Sequence, residues 1–117
     1  MATIKEIALT TRNCFKQSTA RMVKQKVLII HQPLIIGFFI AGKPKPARYG
    51  QRFVTALERT GLFSNMTFQE KVVKLSDESL ATYVSIAANC TTDKGNMIVH
   101  ISADPIGMLT IRFEKDE

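Results

Sequence analysis

The clearest periodicity along the chain is strict alternation over its last third. Val84, Ile86, Ala88 and Cys90 alternate with Tyr83, Ser85, Ala87 and Asn89. Met97, Val99, Ile101 and Ala103 alternate with Ile98, His100 and Ser102, and Leu109, Ile111 and Phe113 with Thr110, Arg112 and Glu114. A period of two places one set on each face of a strand, so these runs predict strands with one buried and one wetter face. Asp93-Lys94-Gly95-Asn96 and Asp104-Pro105-Ile106-Gly107 separate them as turns, which predicts an antiparallel meander. Phe68–Leu75 reads as a further strand, joined to the meander by a turn at Ser76-Asp77-Glu78-Ser79.

The N-terminal half changes period. Ile4, Ile7, Ala8, Thr11, Cys14, Phe15, Ser18 and Met22 fall on one helical face, which predicts an amphipathic helix within 2–24. Thr10, Thr11 and Asn13 are poor helix formers, so a short strand at 4–11 followed by a basic loop is the competing reading. Segment 27–42 is the most apolar stretch, but it falls short of the roughly 20 residues that span a bilayer. His31-Gln32-Pro33 interrupts it, which predicts two buried strands at 26–31 and 34–41, with a bulge at Gly37. Gly42-Lys43-Pro44-Lys45-Pro46 is a loop. Tyr49, Phe53, Ala56, Leu57 and Thr60 then predict a helix over 46–60, opened by Pro46 and closed by Gly61 at C′.

These elements predict an α+β fold: an antiparallel sheet of four to six strands with one or two helices packed on one face. A length of 117 residues fits one domain, with 1–25 as a basic, helical arm and 26–117 as a compact core.

Charge adds a second asymmetry. Residues 1–60 carry eleven Lys/Arg and two acids, a balance of +9, whereas 61–117 carry five and eight, a balance of −3. A basic half of this kind predicts a surface that meets an anion. Lys43, Lys45, Arg48, Arg52 and Arg59 lie close in sequence, with Arg48 and Arg52 one turn apart on the predicted helix. Lys24 and Lys26 border the preceding strand, and Arg12 and Lys16 extend the set.

Other chemistry is sparse. His31 and His100 have no Cys, His or acid at ligand spacing, so no metal site is expected. Cys14 falls on the apolar stripe and reads as packing, Cys90 is far from it, and two lone cysteines fit a reducing intracellular compartment, cytoplasm or nucleus. Residues 1–26 lack the apolar core of a secretion signal, so the sequons at Asn65 and Asn89 are expected to go unused. No cofactor motif is present: Pro44 and Pro46 remove two of the backbone N–H groups a phosphate loop would need.

The expected function is a non-catalytic module that contacts a polyanion, nucleic acid ahead of an anionic membrane, through the 43–59 loop and helix. Tyr49 is a candidate stacking ring, though it begins the apolar stripe and is expected in the core. Two other readings are a peripheral, viral matrix-like accessory protein that binds anionic lipid, and a homodimeric interaction module joined through an open sheet edge.

Overall fold

The computed structural model describes residues 2–20, 22–23, 28–30, 34–41, 48–104 and 107–116, with the backbone alone at 22–23, 28–30 and 41. Two helices, α1 (Ile4–Thr19) and α2 (Gly50–Arg59), cover one face of an antiparallel sheet. Its long strands are β3 (Leu34–Ala41), β4 (Phe63–Lys74), β5 (Leu80–Thr92), β6 (Gly95–Ala103) and β7 (Met108–Lys115). They lie in the order β3-β7-β6-β5-β4. Two short strands, β1 (Met22–Val23) and β2 (Leu28–Ile30), share the outer edge of β3, one beside residues 40–41 and the other beside 35–37. The predicted α+β architecture is the observed one.

Helix α1 forms despite its threonines because each hydroxyl that points inward finds a carbonyl. Thr11, Ser18 and Thr19 donate to the backbone oxygens of Ile7, Cys14 and Phe15 at 2.8, 2.7 and 2.8 Å. That bond satisfies a buried hydroxyl and permits it on the apolar stripe. A capping box starts the helix. Thr3 Oγ1 accepts from Glu6 N at 3.1 Å, and Glu6 Oε1 accepts from Thr3 N at 3.3 Å. Ile7 and Phe15 are completely buried, so the helix is built into the core.

The predicted alternation in β5, β6 and β7 holds residue for residue. Val84, Ile86, Val99, Ile101, Leu109 and Ile111 are all buried beneath the helices, while Tyr83, Ser85 and Ser102 are exposed on the other face. The turns match as well. Gly107 N donates to Asp104 O across four residues, and Gly95 and Gly107 take φ of 101° and 100°. These are left-handed conformations that glycine adopts without steric cost.

Three expectations are corrected. Strand β4 begins at Phe63 rather than Phe68, and its register slips between Ser64 and Thr67, where Asn65 has φ 52°. That irregularity breaks the alternation that would have marked the start. Gly37 is in regular register with both Leu28 and Thr110, so the bulge lies in β4 and not there. Helix α2 begins at Gly50, leaving Arg48 and Tyr49 before it.

Candidate functional site

The two faces of the molecule differ in chemistry. Four large apolar side chains are exposed among the described residues: Phe39, Leu75, Leu80 and Tyr83. Phe39 and Tyr83 stand on the uncovered sheet face, and Leu75 and Leu80 flank the β4–β5 turn. None lies on the helices, whose outer side carries Lys5, Lys16, Arg52 and Arg59, all exposed.

The helices meet through aromatic rings. Phe15 of α1 packs edge-on against Tyr49 (centroids 5.4 Å apart, 82°) and Phe53 (5.3 Å, 69°). These contacts seat α2 beside α1 and leave a shallow groove above the seam. Gln17 and Ser18 border it on one side, and Gln51, Arg52, Thr55 and Arg59 on the other. Its volume is about 330 Å³. Arg52 and Arg59 are two helical turns apart, so their Cα atoms stand about 10 Å from each other on one side of α2.

The start of α2 fixes Arg48 elsewhere. Tyr49, at the N-cap, makes no side-chain capping bond and is buried in the core. The capping oxygen comes from the sheet instead: Glu70 Oε2 of β4 accepts from Gly50 N at 2.8 Å. The other carboxylate oxygen, Oε1, pairs with Arg48 Nη1 at 3.3 Å. A carboxylate at a helix N-terminus satisfies an orphan donor and opposes the positive end of the dipole. Arg48 is therefore directed toward Glu70 and does not stand beside Arg52 on a helix.

Arg12 is also drawn inward. Its guanidinium sits over the Phe38 ring, 5.6 Å from the centroid, and Nη2 donates to Asn13 Oδ1 at 3.2 Å. Its Nε is buried with no hydrogen-bond partner among the described residues. Of the nine cations expected to form the anion surface, Lys16, Arg52 and Arg59 face solvent on the helices, and Arg12 and Arg48 are engaged within the protein. Lys24, Lys26, Lys43 and Lys45 lie outside the described residues, as do His31 and Pro46.

Tyr49 is not available for stacking, because only 1% of it is exposed. Burial pushes both thiols, Cys14 and Cys90, above the usual cysteine range, which suppresses their nucleophilicity. On the sheet face His100 Nε2 lies 3.2 Å from Glu114 Oε1, and Arg112 Nη1 donates to Glu114 Oε2 at 3.0 Å. These bonds, from His100 first and Arg112 second, hold the Glu114 carboxyl below the usual range. This trio escaped sequence reading because its members meet through strand register: Arg112 pairs His100 across β6 and β7. Among the described residues no three His, Cys, Asp or Glu side chains converge on a metal position, and no helix is long and apolar enough to cross a membrane.

Comparison of the chain with protein-family models, curated proteins and solved structures finds no match.

Proposed function

We propose that the protein is a non-catalytic module that binds a polyanion, nucleic acid in the first instance, across the outer side of its two helices. The observation that carries this reading is the placement of Arg52 and Arg59 along one side of a solvent-open groove, with Lys16 exposed on the neighbouring helix. Guanidinium groups about 10 Å apart on a rigid helix can reach separate phosphates of one backbone. Gln17, Gln51 and Thr55 add neutral hydrogen-bonding groups that suit phosphate and sugar oxygens. Such a surface takes up the backbone without reading sequence.

Lipid is the weaker alternative on the same geometry. An interfacial helix presents bulky apolar residues to the membrane as well as cations. Here the apolar stripes of both helices are turned into the core, and Ile36, Phe38 and Ile40 of the most apolar stretch are buried.

The test compares wild type with an Arg52→Gln/Arg59→Gln variant on single-stranded RNA, duplex DNA and anionic vesicles at two salt concentrations. Both side chains are exposed, so the variant keeps its fold. Wild type is expected to bind nucleic acid with steep salt dependence, and the variant to bind more weakly with a log–log slope shallower by about 1.8 on duplex DNA. Equal binding by the two proteins, or salt-independent binding, would discard the helix face as the site.

A further inference from the structure

The sheet face away from the helices carries a ridge beside a trough. The trough is a row across the strands formed by Gly37, Thr110, Ser102, Ser85 and Gln69, successive partners in the register of β3, β7, β6, β5 and β4. Its residues are small or slender, and Thr110, Ser102, Ser85 and Gln69 line a depression of about 730 Å³ that Tyr83, Met108 and Asp104 beside them also border. The ridge runs parallel to it one step along the strands, where Phe39 is paired with Met108 and Tyr83 with Lys71. Phe39 is 38% exposed and Tyr83 47%. Same-face neighbours along a strand are about 6.8 Å apart, so ridge and trough lie side by side.

We propose that this face binds a second copy of the same chain, the ridge of each copy seated in the trough of the other. A two-fold axis parallel to both rows and running between them brings about this exchange, which is the self-complementarity that an isologous interface requires. Stacked sheets approach to about 10 Å, close enough for tyrosine and phenylalanine to reach a floor of glycine, serine and threonine.

Area and charge agree with that occupant. Five strands are about 24 Å across, and a face of that width and similar length buries about 1,200 Å² in a pair, the low end of a specific interface. Among the described residues the charged side chains on the face are Lys71 and Asp104, opposite in sign, and the trio His100, Arg112 and Glu114, whose members already pair with one another. Little net charge is therefore buried. The helices point away on the two outer sides of the pair, which keeps Lys5, Lys16, Arg52 and Arg59 of the two copies apart.

Sedimentation of the full chain across protein concentration and salt provides the test. Wild type is expected to dimerise, and added salt to leave the dimer intact or tighten it, the opposite of its effect on nucleic-acid binding. Ser102→Arg fills the trough and Tyr83→Ser removes the more exposed of the two ridge rings. Both positions are exposed, and each variant is expected to sediment as a monomer with an unchanged circular dichroism spectrum. Asn13→Arg, on the helix side, is expected to remain dimeric. A wild-type monomer at every concentration would overturn the proposal and leave the face to some other partner. So would a dimer that salt dissociates, or one that persists in both sheet-face variants, as pairing through the β4 edge would.

Discussion

Gly50 and Glu70, twenty positions apart, are joined by one hydrogen bond that starts a helix: the carboxylate of β4 caps the first N–H of α2 at 2.8 Å. The same contact explains why position 50 is glycine. A Cβ there would collide with the Glu70 carboxylate and the Phe68 ring. Gly50→Ala is expected to destabilise the protein by about 1–3 kcal/mol, the usual cost of forcing atoms into a packed site. Urea unfolding monitored by circular dichroism measures it, and an unchanged midpoint would contradict the close approach.

The two partners of Glu70 are unequal. Arg48 has an exposed side chain (71%), and a surface pair contributes about 0–1 kcal/mol. The capping bond satisfies a backbone donor at a helix end, and losing such a cap costs about 0.5–2 kcal/mol. Glu70→Ala is thus expected to lower stability more than Arg48→Ala does. The reverse order in thermal melts would show that the ion pair, and not the cap, is the main contribution.

Phe15 ties both helices to one another through two edge-on ring contacts. Phe15→Ala leaves a cavity at that junction and is expected to cost about 3–5 kcal/mol, a large share of the roughly 5–15 kcal/mol that holds an ordinary domain. Phe15→Leu retains most of the volume and is expected to fold with a lowered melting temperature. Wild-type melting of the leucine variant would mean that the ring geometry contributes nothing.

Glu114 provides a pH dependence with a defined sign. Its carboxyl is held below the usual range in the folded state, so its contribution to stability is complete above the unfolded glutamate value and fades as pH falls through the lower, folded one. His100→Phe removes the larger cause and is expected to move the Glu114 titration upward. Carboxyl-carbon NMR reads this directly, and an unmoved titration would assign the effect elsewhere.

Both thiols are buried, so the folded protein is expected to react with a thiol reagent only as fast as it opens. Rapid modification of either under native conditions would place it outside the core.

Much of this architecture was legible wherever one side of an element is wet and the other dry. The buried and wet faces of β5, β6 and β7 could be assigned for that reason, and the turns between them placed by their glycines, though β5 starts earlier, at Leu80, and β6 takes in Gly95 and Asn96. Legibility failed where the decisive partner is remote. Helix α2 was expected to open at Pro46, because its cap, Glu70, belongs to a strand later in the chain and Tyr49 is no capping residue. The start of β4 was hidden by the slip at Ser64–Thr67. The helix reading of α1 faced an apparent penalty from Thr11 that its bond to Ile7 O removes. The candidate surface divided in the same way: Arg52 and Arg59 stay solvent-facing as their off-stripe positions implied, while Arg48 and Arg12 turn toward Glu70 and Phe38, partners that no local spacing reveals.

The pairing of Leu34 with Phe113 has a temporal consequence. A ribosome makes β3 long before β7, yet β7 is the strand that joins β3 to the rest of the sheet. The meander β4–β6 closes through local hairpins as it emerges, whereas β3, paired until then with β1 and β2 alone, can join the meander only once Met108–Lys115 has been made. Until then Ile36, Phe38 and Ile40 face the nascent core with one neighbouring lane vacant. Closing so distant a pair is slow relative to hairpin formation. The entry of β3 into the sheet is thus expected to follow the closing of the meander.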